Sequence, residues 1–347
     1  MKKYAIFGRY HMYKILSRTR GVKLVEFYND NNLHIILSNY GASIYEIDMP
    51  DRNGNLECIT LTPQMGYYFR NSKYLGLSVG RVAGRLQNAQ FTINNETYKI
   101  RPNENGNLLH SGLNSFCYKL FDYDIIDSDE YTKVVYSINI KDMEDGFPGD
   151  LEFRATYTLY KKENTMSLDY QALSSKDTLL NVTNHSYFNL SGNLKRTILD
   201  EYLTINKSYV GLMDNESIVL KFQAVSKEFD FRKPKKIGQD IKSENVVIPT
   251  LGYDHYFSDS KPLLVNLYDE VSGRNLEITS NYTDTVIYTN NYIDNTIYIN
   301  GATDKPQLAI AIEPNRFSKI LSPDGIIQGA KKLYNYNITY KFSIKEE

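Results

Sequence analysis

A chain of 347 residues with a formal net charge of −1 carries both signs of charge along its whole length. That balance offers no basic surface for phosphate-driven nucleic-acid binding and no cationic face for a membrane. Thirty tyrosines and fifteen phenylalanines, with no tryptophan, favour strands and amphipathic walls for a polar ligand. The first twenty residues are weakly patterned and stand as an N-terminal extension of unknown role, an extra strand or a loosely held arm. Residues 21–347 read as a single domain. Strands are predicted over 22–28 and 33–37 around the turn 29–32, then over 42–49, closed by Pro50-Asp51-Arg52-Asn53-Gly54-Asn55. A short hairpin follows over 91–93 and 97–100. Segments 133–140, 151–160 and 166–173 alternate with period two. The apolar run 308–312 reads as a strand ending at Glu313, and 336–344 is the final strand. Helical periodicity is confined to a turn or two near 63–71 and 234–241. Many short strands without a linker or composition break predict an all-β fold, one large antiparallel β-sandwich.

The N-terminus lacks the apolar core of a signal peptide, because Arg9, His11, Lys14, Arg18 and Arg20 interrupt it. No run is long enough to span a bilayer, so a cytoplasmic location is expected. Cys58 and Cys117 match no metal-ligand spacing and read as reduced, buried thiols.

Proton chemistry is the strongest functional signal. Glu313 is followed by Pro314, which would lock the backbone of a carboxylate projecting into a cleft. Of five histidines, His110, His185 and His255 lie in polar, turn-rich segments. A histidine titrates close to neutrality, which suits giving and taking protons. His185, beside Asn184 and Tyr187, reads equally as a satisfied core histidine. His110 sits in the loop 103–112, where plain exposure is the bland alternative. Asp254 and His255 are adjacent, so on a strand only one of them faces a cleft. Arg81 and Arg85, in Gly80-Arg81-Val82-Ala83-Gly84-Arg85, are either forks for substrate oxygens or structural ion pairs. No HExxH, phosphate-loop or GxSxG pattern is present, so no metal, cofactor or serine nucleophile is expected.

Taken together these segments resemble the galactose mutarotase (aldose 1-epimerase) family. The resemblance is carried by the 39–44 and 49–55 hairpin, Tyr74-Leu75-Gly76 through Arg85, Leu109-His110-Ser111-Gly112, Asn184-His185-Ser186-Tyr187-Phe188-Asn189-Leu190, Phe229-Asp230-Phe231-Arg232-Lys233-Pro234, Gly252-Tyr253-Asp254-His255 and Glu313. They run in family order from about Gly21 to Phe342. The resemblance implies a β-supersandwich with an open sugar cleft, no cofactor and no metal. It implies that Glu313 is the base at the anomeric hydroxyl and His185 the acid at the ring oxygen. Arg85, His110 and Asp254 would hold sugar oxygens, and Tyr187 would help wall the site. The expected partner is a free aldohexose such as galactose or glucose, and the expected assembly a monomer or homodimer. Three positions depart from the family pattern: Ser111 in place of a glycine, Phe121 in place of a tryptophan, and Asn315 where a glutamine is frequent. Two alternatives remain open. One is a hexose-6-phosphate 1-epimerase, using Arg81 or Lys233, Lys235 and Lys236 for the phosphate. The other is a non-catalytic carbohydrate-binding or sensing protein on the same fold.

Overall fold

Turn chemistry and alternation build the N-terminal part as the sequence predicts. A computed structural model of the chain describes residues 12–248, 250–317 and 325–346. Asn29 closes the first hairpin: its Oδ1 accepts the N–H groups of Asn31 and Leu33 at 3.0 and 2.8 Å. Lys23–Tyr28 and His34–Ser38 pair on either side of it. Asp51 closes the turn after Ser43–Pro50, accepting from the N–H groups of Asn53 and Asn55. Leu56–Cys58 then returns along that strand. Tyr13–Ser17 pairs with Lys23–Phe27 and completes a five-stranded sheet. Part of the stretch read as an extension therefore belongs to this sheet, and residues 1–11 lie outside the described residues.

Two larger sheets complete the fold. A nine-stranded sheet carries Tyr131–Ile140, Leu151–Tyr160 and Thr165–Ser174 side by side in unbroken register, with the C-terminal strand Tyr334–Ile344 next to them at its middle. A six-stranded sheet runs Tyr187–Phe188, Ile310–Asn315, Asp284–Tyr288, Asp254–Ser258, Tyr209–Met213, Val219–Ala224. One continuous core joins all three. Phe27, Ile35 and Ile47 of the first sheet, Phe153, Tyr157 and Leu168 of the second, and Phe257, Ile287 and Ile312 of the third are packed together. Burying each such side chain contributes roughly 1.5–3 kcal/mol.

The strand carrying Glu313 does not end there, as predicted, but continues through Pro314 to Asn315. The reason is local. Tyr187–Phe188 pairs only with Ala311 and Ile310, so beyond that point the strand has one neighbour, Asp284–Tyr288. A proline is tolerated on a one-sided strand where its nitrogen faces the open side. Helix is scarce, as expected: Met65–Tyr68 falls in the 63–71 segment and the 3-10 turn Ile237–Gln239 in the 234–241 segment. The single-turn helix Glu244–Val247 is an addition. No helix among the described residues is long and apolar enough to cross a membrane.

Arg274 ties the layers together. Fully buried, it donates to the carbonyls of Met49, Leu190 and Asn55 and to Glu57 Oε2, at 3.0 to 3.2 Å. Cys58 and Cys117 are buried and unpaired.

Candidate active site

Cross-strand register gathers the polar groups of the six-stranded sheet. Tyr187, Ala311, Tyr288 and Asp254 stand in one row across four strands. Glu313, Val286 and Tyr256 form the next row. Residues two apart on a strand share a face, so both rows point the same way, and all but Ala311 line one cleft of about 330 Å³. Ile287 and Ile312 turn to the core instead. So does His255, whose ring lies 4.6 Å from that of Phe229. Of the adjacent pair Asp254 and His255, the acid faces the cleft.

Loops supply the other groups. His185 lies between Thr183–Asn184 and Tyr187–Phe188, its backbone held by Leu77 and Gly76 through two bonds of 2.9 Å. His110 follows the short strand Leu108–Leu109, which pairs with Arg85–Leu86. Its N–H donates to the Gly84 carbonyl at 3.0 Å, and the Gly84 N–H donates back to His110 Nδ1 at 3.1 Å. That return bond demands a lone pair on Nδ1, so neutral His110 carries its hydrogen on Nε2. Gly84 must be glycine: its φ is +85°, and a Cβ would stand 2.4 Å from the Phe317 ring.

The resulting geometry brings a carboxyl and two imidazoles into one buried group. His185 Nε2 lies 3.3 Å from Glu313 Oε1, and both side chains are buried. The His110 and His185 rings meet edge to face at 5.2 Å. Tyr74 and Tyr187 flank His185 at 5.9 and 5.1 Å. Arg85 grips Glu104 with two nitrogens, at 2.5 and 3.1 Å, and reaches Asp254 at 3.9 Å. Burial dominates the titration of these groups. It pushes the Glu313 carboxyl well above its usual range, with nearby Asp254 adding to the effect and Arg85 opposing it. Burial lowers His185 to about 4. It also holds His110 well below its ordinary value, helped by His185 and Arg85. Asp254 is raised by burial, against the pull of Arg85.

Glu313, His185, Arg85, His110, Asp254 and Tyr187 all line this one cleft. Arg81 does not: it is fully buried and bonded to Asp145, Thr178 and the carbonyls of Pro148 and Gly149. Lys235 is spent on the carbonyls of Lys227 and Glu228 and on Asp240, and Lys236 on Asp200. Glu104, Tyr74, Lys73, Tyr256 and Tyr288 also line the cleft, and nothing in their sequence context marks them for it. Glu104 lies in the loop 103–112 and Tyr74 in the segment that ends at Arg85, but only the folded chain turns both toward the same space. His110, His185 and Glu313 also bring three ligand-type atoms within 4.8 Å of one another, a proximity that linear spacing conceals. The Gly84 N–H argues against a metal there, since it leaves His110 Nε2 with a hydrogen rather than a lone pair.

Comparison with known proteins places the chain. The family model for aldose 1-epimerase matches residues 23–341. An aldose 1-epimerase of Haemophilus influenzae is 33% identical over 277 residues, covering 77% of this chain and 78% of its own. The galactose mutarotase of Rattus norvegicus is 30% identical, covering 75% of each chain. The chain belongs to the aldose 1-epimerase family. A solved aldose epimerase homologue from C. elegans superposes with a TM-score of 0.83 at 25% identity, covering 93% of this chain and 99% of that one.

Within the aldose 1-epimerase family, an isomerase family of carbohydrate metabolism, the three departures have local explanations. Ser111 occupies a left-handed conformation at φ 65° and bonds Val82 twice, accepting from its N–H at 2.7 Å and donating to its carbonyl at 3.1 Å. Phe121 packs edge to face against Phe116 and Phe153. Asn315 donates to the Glu313 carbonyl and accepts from the Phe317 N–H, so its side chain braces the strand and does not line the cleft.

Proposed function

We propose that this chain interconverts the α and β anomers of a free aldohexose, galactose or glucose, by acid–base ring opening and closure. The observation that carries the reading is the buried contact of 3.3 Å between His185 Nε2 and Glu313 Oε1. Opening a pyranose hemiacetal takes one proton from the anomeric hydroxyl and gives one to the ring oxygen. A pair sharing a single proton does both: Glu313 as carboxylate accepts, and His185 as imidazolium donates. The step leaves carboxylic acid and neutral imidazole, the uncharged arrangement that burial favours. Rotation about the bond to the former anomeric carbon then exposes the other carbonyl face, and closure reverses the roles: the Glu313 acid protonates the carbonyl oxygen while neutral His185 takes the proton of the ring-closing hydroxyl. His110 Nε2–H and the free edge of Arg85 donate to sugar oxygens, while Asp254 accepts from ring hydroxyls. Tyr74 and Tyr187 offer apolar rings beside the reacting end.

Two features weigh against the alternatives. A purely binding protein has no use for a buried acid–base pair. A sugar phosphate would meet Glu104, Asp254, Asp294 and Glu313 against only Lys73 and Arg85, and both cations are already paired, with Asp304 and Glu104. The test is polarimetry, or NMR of anomer exchange, on freshly dissolved α-galactose and α-glucose with spontaneous mutarotation subtracted. Acceleration with a free aldose is expected. Binding without acceleration would favour the sensing reading, and acceleration confined to hexose 6-phosphates would move the substrate.

A further inference from the structure

A second cluster of ionisable side chains lies on the five-stranded sheet, and none of its members lines the cleft. Glu46 and Asp48 stand two apart on Ser43–Pro50, and Asp48 lies directly opposite His34 on the neighbouring strand. All three therefore share one face. Each offers a ligand atom, and these atoms lie within 4.8 Å of one another. His34 Nδ1 is 2.6 Å from Asp48 Oδ2, and its other nitrogen, Nε2, is 3.2 Å from Glu26 Oε1. Glu26 is anchored in turn, by Lys14 Nζ at 2.6 Å and the Tyr28 hydroxyl at 3.0 Å. The Tyr28 ring stacks on the imidazole at 4.1 Å.

This cluster and the cleft cluster differ in what stands behind the imidazole. His110 receives an N–H at Nδ1, which denies Nε2 its lone pair. His34 meets a carboxylate on each nitrogen. With Nε2–H donating to Glu26, Nδ1 is free to present a lone pair toward Asp48 and Glu46. A carboxylate behind a histidine is the arrangement that fixes the tautomer and raises the basicity of a metal-bound ring. One imidazole with two carboxylates suits a cation of the zinc type better than calcium or magnesium, which prefer all-oxygen shells. Glu46 and Asp48 are partly exposed, so an ion has a path in and water has room to complete its coordination.

We propose that His34, Glu46 and Asp48 form a binding site for one zinc-like divalent cation, with Glu26 orienting His34. The ion takes the position between His34 Nδ1 and Asp48 Oδ2, and a proton bound there in acid leaves to solvent. Such an ion clips Ser43–Pro50 to His34–Ser38 and stabilises the native chain.

The test uses the full chain, stripped with a chelator, dialysed and titrated calorimetrically with zinc chloride. One ion per chain is expected, binding more tightly at pH 8 than at pH 6 because a proton is released. Glu46→Gln and Asp48→Asn should each weaken binding at least about tenfold, and Glu26→Gln, acting through His34, by about 10–100-fold. Glu46→Gln alters a partly buried side chain outside the cleft, so unchanged metal-free melting and unchanged sugar turnover would show that the fold is intact. Absence of zinc binding to the wild-type chain would overturn the site. So would binding that survives both carboxylate variants and disappears in His110→Gln, which would place the ion in the cleft.

Discussion

At 3.3 Å, Glu313 and His185 act as one acid–base unit under the proposed mechanism. Glu313→Gln keeps the shape and removes the base. His185→Asn keeps a polar group and removes the proton donor. Each should lower the catalysed rate by roughly 10²–10⁴-fold in anomer-exchange measurements, with sugar binding less affected. The double variant should lose less than the product of the two. The pH profile follows from the shared proton. Acid adds a second proton and occupies the base; alkali removes the shared one and disarms the acid. A bell is expected, and its two apparent pKa values belong to the pair. Arg85 and Asp254 act on binding instead. Arg85→Ala strands Glu104, and Asp254→Ala removes an acceptor, so each should lower kcat/KM by an amount equivalent to about 1–3 kcal/mol.

At the scale of the element, alternation of side chains decides which residue faces the chemistry. Asp254 and His255 are neighbours, yet one lines the cleft and the other is packed against Phe229. Burial depresses His255 to about 3. An unfolded chain protonates that ring near pH 6.5, so its contribution to stability is fully present above that pH and drains away as pH falls toward 3. Replacing His255 by Gln should flatten the fall of the melting temperature between pH 6.5 and 4, read by calorimetry. The hairpins 22–37 and 151–173 were legible because period-two alternation flanks turn residues such as Asn29. Their pairing is also local. The strand through Glu313 was cut short because proline reads as a terminator, and only knowledge of its missing neighbour shows why Pro314 is tolerated.

For the whole molecule, stability depends on groups that no local pattern announces. Arg274 is buried where the five-stranded sheet meets the nine-stranded one, saturating three carbonyls and one carboxylate. Arg274→Leu would leave Glu57 and those carbonyls short of a donor. A loss of about 3–5 kcal/mol is expected in denaturant unfolding, the scale of breaking a buried charged network. From the sequence it is one arginine among many. The site was more legible than this anchor, because its residue types announce proton chemistry and sit in recognisable segments. What stayed hidden was company: Glu104 behind Arg85, the Tyr74 ring edge to face with His110 at 4.5 Å, and the three ionisable groups on the five-stranded sheet. Each depends on strands and loops that meet only in three dimensions.

The cleft is walled by Arg85, His110, His185, Asp254 and Glu313, drawn from stretches far apart along the chain. No subset of neighbouring hairpins holds both the acid and the base. The cleft is thus expected to assemble late in folding. The local meanders around 131–174 need little loop closure, whereas joining 183–188 to 310–315 closes a long one. In refolding from denaturant, far-ultraviolet circular dichroism should recover first, and the ability to speed anomer exchange should lag behind it. Coincident recovery of the two signals would mean that the distant strands meet in the first cooperative step.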